Sequence, residues 1–358
     1  MHMADALLSP AVATTLWVAS GATLGWCSRR IRSDPREHLV PLMGVLGAFV
    51  FAAQMINFSI PATGSSGHIG GGLLLSILLG GPAAFIVIAS VLAVQALLFA
   101  DGGLLALGAN IFNLGFFPCF VAYPLIYRPL IRRGGTMPSR KRVLIVTILS
   151  AVAGLQLGAL GVVVETKLSG ITSLPWATFL ALMLPIHLAI GVVEGLATAV
   201  VIAFISKARP DLVDAGAEAV ASQGASFPTR VIAIVGIAAA MTAGVLSWFA
   251  SSHPDGLEWS ISRITGKAEI DEGATAAHRV LGEVQRQAAL LPDYKPASGE
   301  EKTSPENAGE SAAREAAWPA VDAGTSLAGV LGAAATLLLV SAIGYLLRPR
   351  RRPTTPRT

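Results

Sequence analysis

A histidine directly after an initiating methionine can do chemistry that a histidine elsewhere cannot. If the amine of Met1 is free, that amine, the backbone nitrogen of His2 and His2 Nδ1 close a five-membered and a six-membered chelate ring on one ion. Three nitrogens in one plane leave a single gap, which one more imidazole can fill. A planar nitrogen set suits Ni²⁺ or Cu²⁺ better than Zn²⁺ or Mg²⁺. The plain alternative is that His2 is an exposed terminal residue. His68 offers a further imidazole, in the loop Pro-Ala-Thr-Gly-Ser-Ser-Gly-His-Ile-Gly-Gly-Gly from Pro61 to Gly72. His187 and Glu194 stand seven apart, one face of a helix. His253, Asp255 and Glu258 lie together in Ser-His-Pro-Asp-Gly-Leu-Glu, which is either a transient ion site or a Pro-Asp-Gly turn. His38 and His278 fit no ligand constellation and are read as solvated.

The elements that position these residues are membrane helices. Among 358 residues, 13% are charged and 53% apolar, where soluble chains carry about 25% charged; the mean hydropathy is +0.63. Cys27 and Cys119, both in apolar stretches, read as packing residues rather than a disulfide framework. A pI near 9.3 invites nucleic acid, but the basic residues argue against it. They cluster between apolar runs, at Arg29–Arg36, Arg128–Arg142, Lys207–Arg230 and Arg348–Arg357, as cytoplasmic loops do.

The first run, Pro10 to Cys27, ends in an Arg cluster, which places Met1-His2 outside; with Asp5 and no basic residue ahead of it, it does not read as a cleaved signal peptide. The second, Leu39 to Ile60, delivers the His68 loop to the same side. Leu73 to Gly80 is too short to span. The breaker Gly80-Gly81-Pro82 divides it from Ala83 to Ala100, so it reads as a re-entering helix beside a pocket. Asp101-Gly-Gly turns the chain into Leu104 to Tyr127; Val143 to Val164 and Leu174 to Ile205 complete seven elements. Val231 to Ala250 and Ser326 to Leu347 are two further spans around a net-negative loop, 251–325. Within that loop Ala274 to Leu291 reads as an amphipathic helix and Tyr294 to Ala317 as a disordered linker. The expected fold is all-α and integral to the membrane. Residues 1–208 form a seven-helix bundle, 209–228 a cytoplasmic linker and 229–358 a two-span appendage.

Polar side chains inside membrane segments raise a functional question by default. Gln54 and Asn57 share a helix face toward the His68 loop, Gln95 approaches Asp101, and Asn110 and Asn113 share a face on the next helix. They are either interhelical glue or groups that orient an imidazole through its second nitrogen. Counted inward from Leu174, His187 and Glu194 fall at mid-membrane or deeper, away from the outer histidines, and read as a buried or switching pair. No Gly-x-x-x-x-Gly-Lys-Ser/Thr and no His-Glu-x-x-His occurs, so neither ATP hydrolysis nor a zinc protease reaction is expected.

Met1-His-Met-Ala-Asp-Ala-Leu-Leu-Ser-Pro10, Gly64-Ser-Ser-Gly-His68-Ile-Gly-Gly and Gln95 through Asn113 together resemble the CbiM/NikM family. These are substrate-capture (S) components of energy-coupling-factor transporters for cobalt and nickel. Pro254-Asp-Gly-Leu-Glu-Trp-Ser260 is similar to the small companion subunit CbiN/NikN or its PDGLE relative, so the chain resembles a fusion of the two. The resemblance implies an ion held by Met1, His2 and His68, a transmembrane coupling protein and a pair of cytoplasmic ATPases as partners. It also implies the bacterial inner membrane and no prosthetic group. The opening segment looks more like nickel than cobalt members, with Co²⁺ as the alternative cargo; Ala11, Ala13, Gly21 and Gly25 would suit close docking of a coupling protein or internal packing.

Overall fold

The computed structural model describes residues 2–34, 39–133, 138–208, 229–267, 270, 275–294 and 319–348. Met1, His38, the expected linker 209–228, most of the expected disordered stretch and the Arg-rich end lie outside the described residues. What is described is a mostly helical membrane protein.

Helix α1 (Pro10–Arg32) starts on a proline, whose fixed φ suits a first turn, with Ser9 as N-cap. Its Thr14, Thr15 and Thr23 hydroxyls donate to carbonyls four residues back, which satisfies them within the helix. Helix α2 (Leu39–Gln54) leads into a hairpin, β1 (Phe58–Ile60) and β2 (Ser65–Gly67), paired Phe58 to Gly67 and Ile60 to Ser65. No strand signal is visible in this stretch of sequence, because three-residue strands are too short to show an alternating pattern. Helix α3 (Gly72–Leu79) is buried at every residue, as a half-length element at membrane depth must be. Gly80, at φ 85° and ψ 156°, makes the break in a conformation that glycine alone adopts readily.

Helix α4 (Gly81–Phe99) is followed by α5 (Leu107–Arg132). The middle of α5, Phe112–Tyr127, is wound in the wider π geometry and carries Pro118 and Pro124, which have no N–H for an α ladder. Helices α6 (Arg140–Ser169) and α7 (Trp176–Ala208) form the most extensive helix pair. Helix α8 (Thr229–Gly244), α9 (Gly256–Thr265), α10 (Ala276–Ala288) and α11 (Ala323–Leu346) follow. By length and apolarity α4, α5, α6, α7 and α11 can each cross a membrane; α2 and α8 contain shorter apolar helices.

Helices α8 and α11 both pack along α2, so the C-terminal segment rests on the N-terminal one. Small residues permit this. A Cβ on Gly332 would collide with the Phe51 ring, and one on Gly329 would meet Ala243 O at 2.6 Å. Gly21 and Gly25 of α1 have nothing within 4 Å of such a Cβ. Cys27 and Cys119 are free and buried.

Candidate metal centre

The segment from His2 to Leu8 is threaded over one end of the bundle by its backbone. Met3 N donates to Asn110 Oδ1 at 2.7 Å, and Asn110 Nδ2 donates back to Met3 O at 3.2 Å. Gly103 N also donates to Met3 O, at 2.9 Å. Ala106 N donates to Asp5 Oδ1, and the Met3 side chain is fully buried. Asn113 donates to Glu165 at 2.8 Å, a partner on α6 that spacing along one helix could not reveal.

This anchoring sets His2 beside His68. The two rings stack at 5.0 Å between centroids and 11° between planes, although 65 residues separate them. His2 Nδ1 lies 3.1 Å from Asp101 Oδ1, and Asp101 Oδ2 accepts Tyr294 Oη–H at 2.6 Å. His68 Nδ1 lies 3.2 Å from Ile69 O, which can accept but not donate, so Nδ1 holds the proton and Nε2 the lone pair. Burial first, then nearby positive charge including His2, lowers the His68 pKa to about 3, so the ring is neutral at neutral pH. Burial alone would raise Asp101, but the charge and hydrogen bond of His2 and the Tyr294 hydroxyl outweigh it and hold the carboxyl below its usual range.

The loop carrying His68 is fixed from three sides. Gln54 Nε2 donates to Gly70 O at 2.8 Å, and Gln95 Nε2 donates to Gln54 Oε1 at 2.9 Å. Glu194 accepts Gly70 N and Gly71 N at 2.8 and 3.1 Å. His187 shares a small cavity with His68, Asp255 and Gly256. The expectation that His187 and Glu194 lie deep and apart from the outer histidines is therefore corrected. The re-entering loop descends to their level. Gln54 and Asn110 hydrogen-bond to backbone groups, and Gln54 also to Gln95, as interhelical glue does; Asp101 meets the His2 imidazole. Asn57 takes part through its carbonyl, which accepts Ser251 N at 2.7 Å.

A cavity of about 480 Å³ opens over this arrangement, lined among others by His2, Gln54, Asn57, His68, Asp101 and Glu258. Among the described residues, no group of three or more His, Cys, Asp or Glu side chains is disposed to hold an ion.

The family profile described as "Cobalt uptake substrate-specific transmembrane region", CbiM, matches residues 2–212. The chain belongs to the CbiM family. A PDGLE domain profile matches residues 229–349. Over 349 residues the chain is 32% identical to NikMN of Archaeoglobus fulgidus, covering 97% of this chain and 98% of that protein. It is 30% identical to the fused nickel transport protein NikMN of Rhodobacter capsulatus, covering 83% and 89%. A crystal structure of a transition metal transporter is 31% identical, with a TM-score of 0.51, over 59% of this chain and 95% of that one.

The PDGLE portion closes over the CbiM portion. Ser66 N donates to Pro254 O at 2.8 Å and Ser66 Oγ to His253 O at 2.7 Å, which extends the hairpin edge. Trp259 Nε1 donates to Thr63 O at 3.0 Å. Asp255 caps α9 by accepting Leu257 N and Glu258 N, while Glu258 Oε2 accepts Asp255 N. Burial favours the neutral form of Asp255, yet the positive charge of the terminal amine first, and then the Glu258 N–H, hold it below the usual range; burial and Asp255 raise Glu258. On α10, Gln285 Nε2 donates to Ala96 O and Gly102 O. His278 is buried, not solvated: Nε2 lies 3.0 Å from both Asp5 O and Leu8 O. Its position on an amphipathic helix was the available signal; Tyr294 offered none.

Proposed function

We propose that this protein is the ion-capturing membrane subunit of an energy-coupling-factor importer. It takes Ni²⁺ through the Met1 amine, the backbone nitrogen and imidazole of His2, and His68. The observation that carries this reading is the stacking of His2 on His68 in a chain whose relatives are transport proteins. Side chains alone do not complete an ion site among the described residues; a terminal amine and a deprotonated amide supply the missing nitrogens. Seven elements form the capture bundle, with the PDGLE portion as a two-helix appendage. The amino terminus faces outside and the carboxyl terminus the cytoplasm of the inner membrane, by the disposition of Arg and Lys. A transmembrane coupling protein and two cytoplasmic ATPases complete the importer, and Gly21 and Gly25 leave α1 open for such docking.

Nickel is favoured because relatives matched over most of their length are nickel-named fusions, and because four coplanar nitrogens suit low-spin Ni²⁺. Co²⁺ is the second reading, supported by the family description itself.

Calorimetric titration of the detergent-purified protein with Ni²⁺ and Co²⁺ tests both. One extra residue ahead of Met1 abolishes binding, and His68→Ala weakens it at least about tenfold. Unchanged affinity and spectrum in the extended protein would show the chelate reading to be wrong.

A further inference from the structure

The orientation of His2 conflicts with the chelate of the function proposed above, a function that the latch described below presupposes. A six-membered ring through the His2 backbone nitrogen closes on Nδ1 and cannot reach Nε2. Yet Nδ1 is the nitrogen facing Asp101, at 3.1 Å, whereas Nε2 is buried without a hydrogen-bond partner. An ionised carboxylate accepts and cannot donate, so Nδ1 carries the proton. Two rings 5.0 Å apart and 11° from parallel send their in-plane lone pairs along planes that meet only far beyond bonding distance. His2 must turn before both rings can serve one ion.

Asp101 is itself held in place. Tyr294 donates to its second oxygen, and the Tyr294 ring stacks on Phe99 at 4.7 Å and 17°. Ala100, Asp293 and Tyr294 all have positive φ, of 54°, 50° and 59°. Non-glycine residues adopt that backbone at a cost and keep it where surrounding packing over-determines it. Strain thus gathers on both sides of one hydrogen bond between the PDGLE and CbiM portions.

We propose that Asp101, set by Tyr294, is a latch that keeps a proton on His2 Nδ1 and competes with the ion for the one imidazole nitrogen the chelate can use. Loading breaks the His2–Asp101 contact: the Nδ1 and amide protons of His2 leave to solvent as the ion takes those two nitrogens, and Nε2 carries the proton of the bound ring. Asp101 is a positioning residue and does not touch the ion. A ligand gains affinity when a contact made only in the state it does not bind is removed.

The test is Ni²⁺ titration of the full chain as wild type, Asp101→Asn, Tyr294→Phe and the double variant. It is paired with ¹⁵N-imidazole NMR of the metal-free proteins at constant pH. Asp101→Asn binds Ni²⁺ about tenfold more tightly, the range expected for loss of a charge-assisted hydrogen bond. Tyr294→Phe, which keeps the ring stack and so the fold, shifts affinity in the same direction, and the double variant gains nothing beyond Asp101→Asn. The His2 ring is Nδ1–H in the wild type and moves toward Nε2–H in the variants. Equal or weaker Ni²⁺ binding by both single variants, beside a wild type that binds, overturns the latch. A wild type that takes up no Ni²⁺ removes the functional reading instead; the latch then stands or falls on the tautomer, and an Nε2–H ring in the wild type overturns it.

Discussion

The carboxylate of Glu194 accepts the backbone N–H of Gly70 at 2.8 Å, and with its other oxygen that of Gly71. One side chain on α7 thereby fixes the descent of the His68 loop. Glu194→Ala leaves two buried donors unpaired, which costs about 2–4 kcal/mol. The expected outcome is a lowered melting temperature in detergent and weakened Ni²⁺ binding. Glu194→Gln, which retains one acceptor, is expected to fall between the two. A Glu194→Ala protein with unchanged melting would contradict the anchoring role.

Asn110 holds both polar groups of the Met3 backbone unit. Asn110→Ala removes a two-point clamp from the residue after His2, at about 1–3 kcal/mol. Hydrogen exchange at Gly103 and Met3 accelerates, and Ni²⁺ affinity falls roughly tenfold. Asn110→Asp keeps an acceptor for Met3 N but loses the donor to Met3 O, so it rescues the clamp only in part.

His278 joins α10 of the PDGLE portion to the carbonyls of Asp5 and Leu8. In His278→Ala those carbonyls lose their donor. The expected readout is faster proteolysis near α10 and a shorter residence time for Ni²⁺, with α4 to α7 unaffected by hydrogen exchange. Loss of exchange protection throughout would point to a global folding role instead.

The pH dependence originates at His68. Its folded pKa, about 3, lies below the ordinary histidine value because burial disfavours the charged ring. Between those values the unfolded chain binds a proton that the folded chain refuses, so stability is present above about pH 6.5 and is lost as pH falls toward 3. His68→Gln flattens that part of a stability profile measured by thermal melting between pH 7.5 and 4. A histidine that stays neutral does not itself lose the ion to protons near neutrality. In the chelate proposed above, the terminal amine, with an ordinary pKa of about 7.7–8.0, is a group whose protonation is expected to weaken Ni²⁺ binding below pH 8.

Much of this arrangement is legible in the sequence through parity and length. Counting apolar runs puts His2 and His68 on one side, and the Gly80-Gly81-Pro82 break marks α3 as a half-length helix. The 3.6-residue pattern locates α10. What escapes is depth and partnership. Distance along α7 places Glu194 deep, but the loop it holds dips into the bundle, and nothing local in Gly70 or Gly71 announces that. Tyr294 precedes a polar stretch and reads as the edge of a linker. Its seat on Phe99 and Asp101 depends on contacts nearly 200 residues back along the chain. Of the amides, Gln54 and Asn110 satisfy backbone groups while Gln95 and Asn113 join helices through Gln54 and Glu165, a choice that side-chain type alone leaves open.

The hydrogen bond from Ser66 N to Pro254 O joins a loop and its cover that belong to one polypeptide. A cover supplied by a separate subunit would be present in proportion to its abundance. Here its local concentration is set by tethering, on the order of millimolar for a short connection, and does not change with expression or dilution. Each His68 loop therefore comes with one cover in fixed ratio, and even a weak contact at that edge is occupied most of the time.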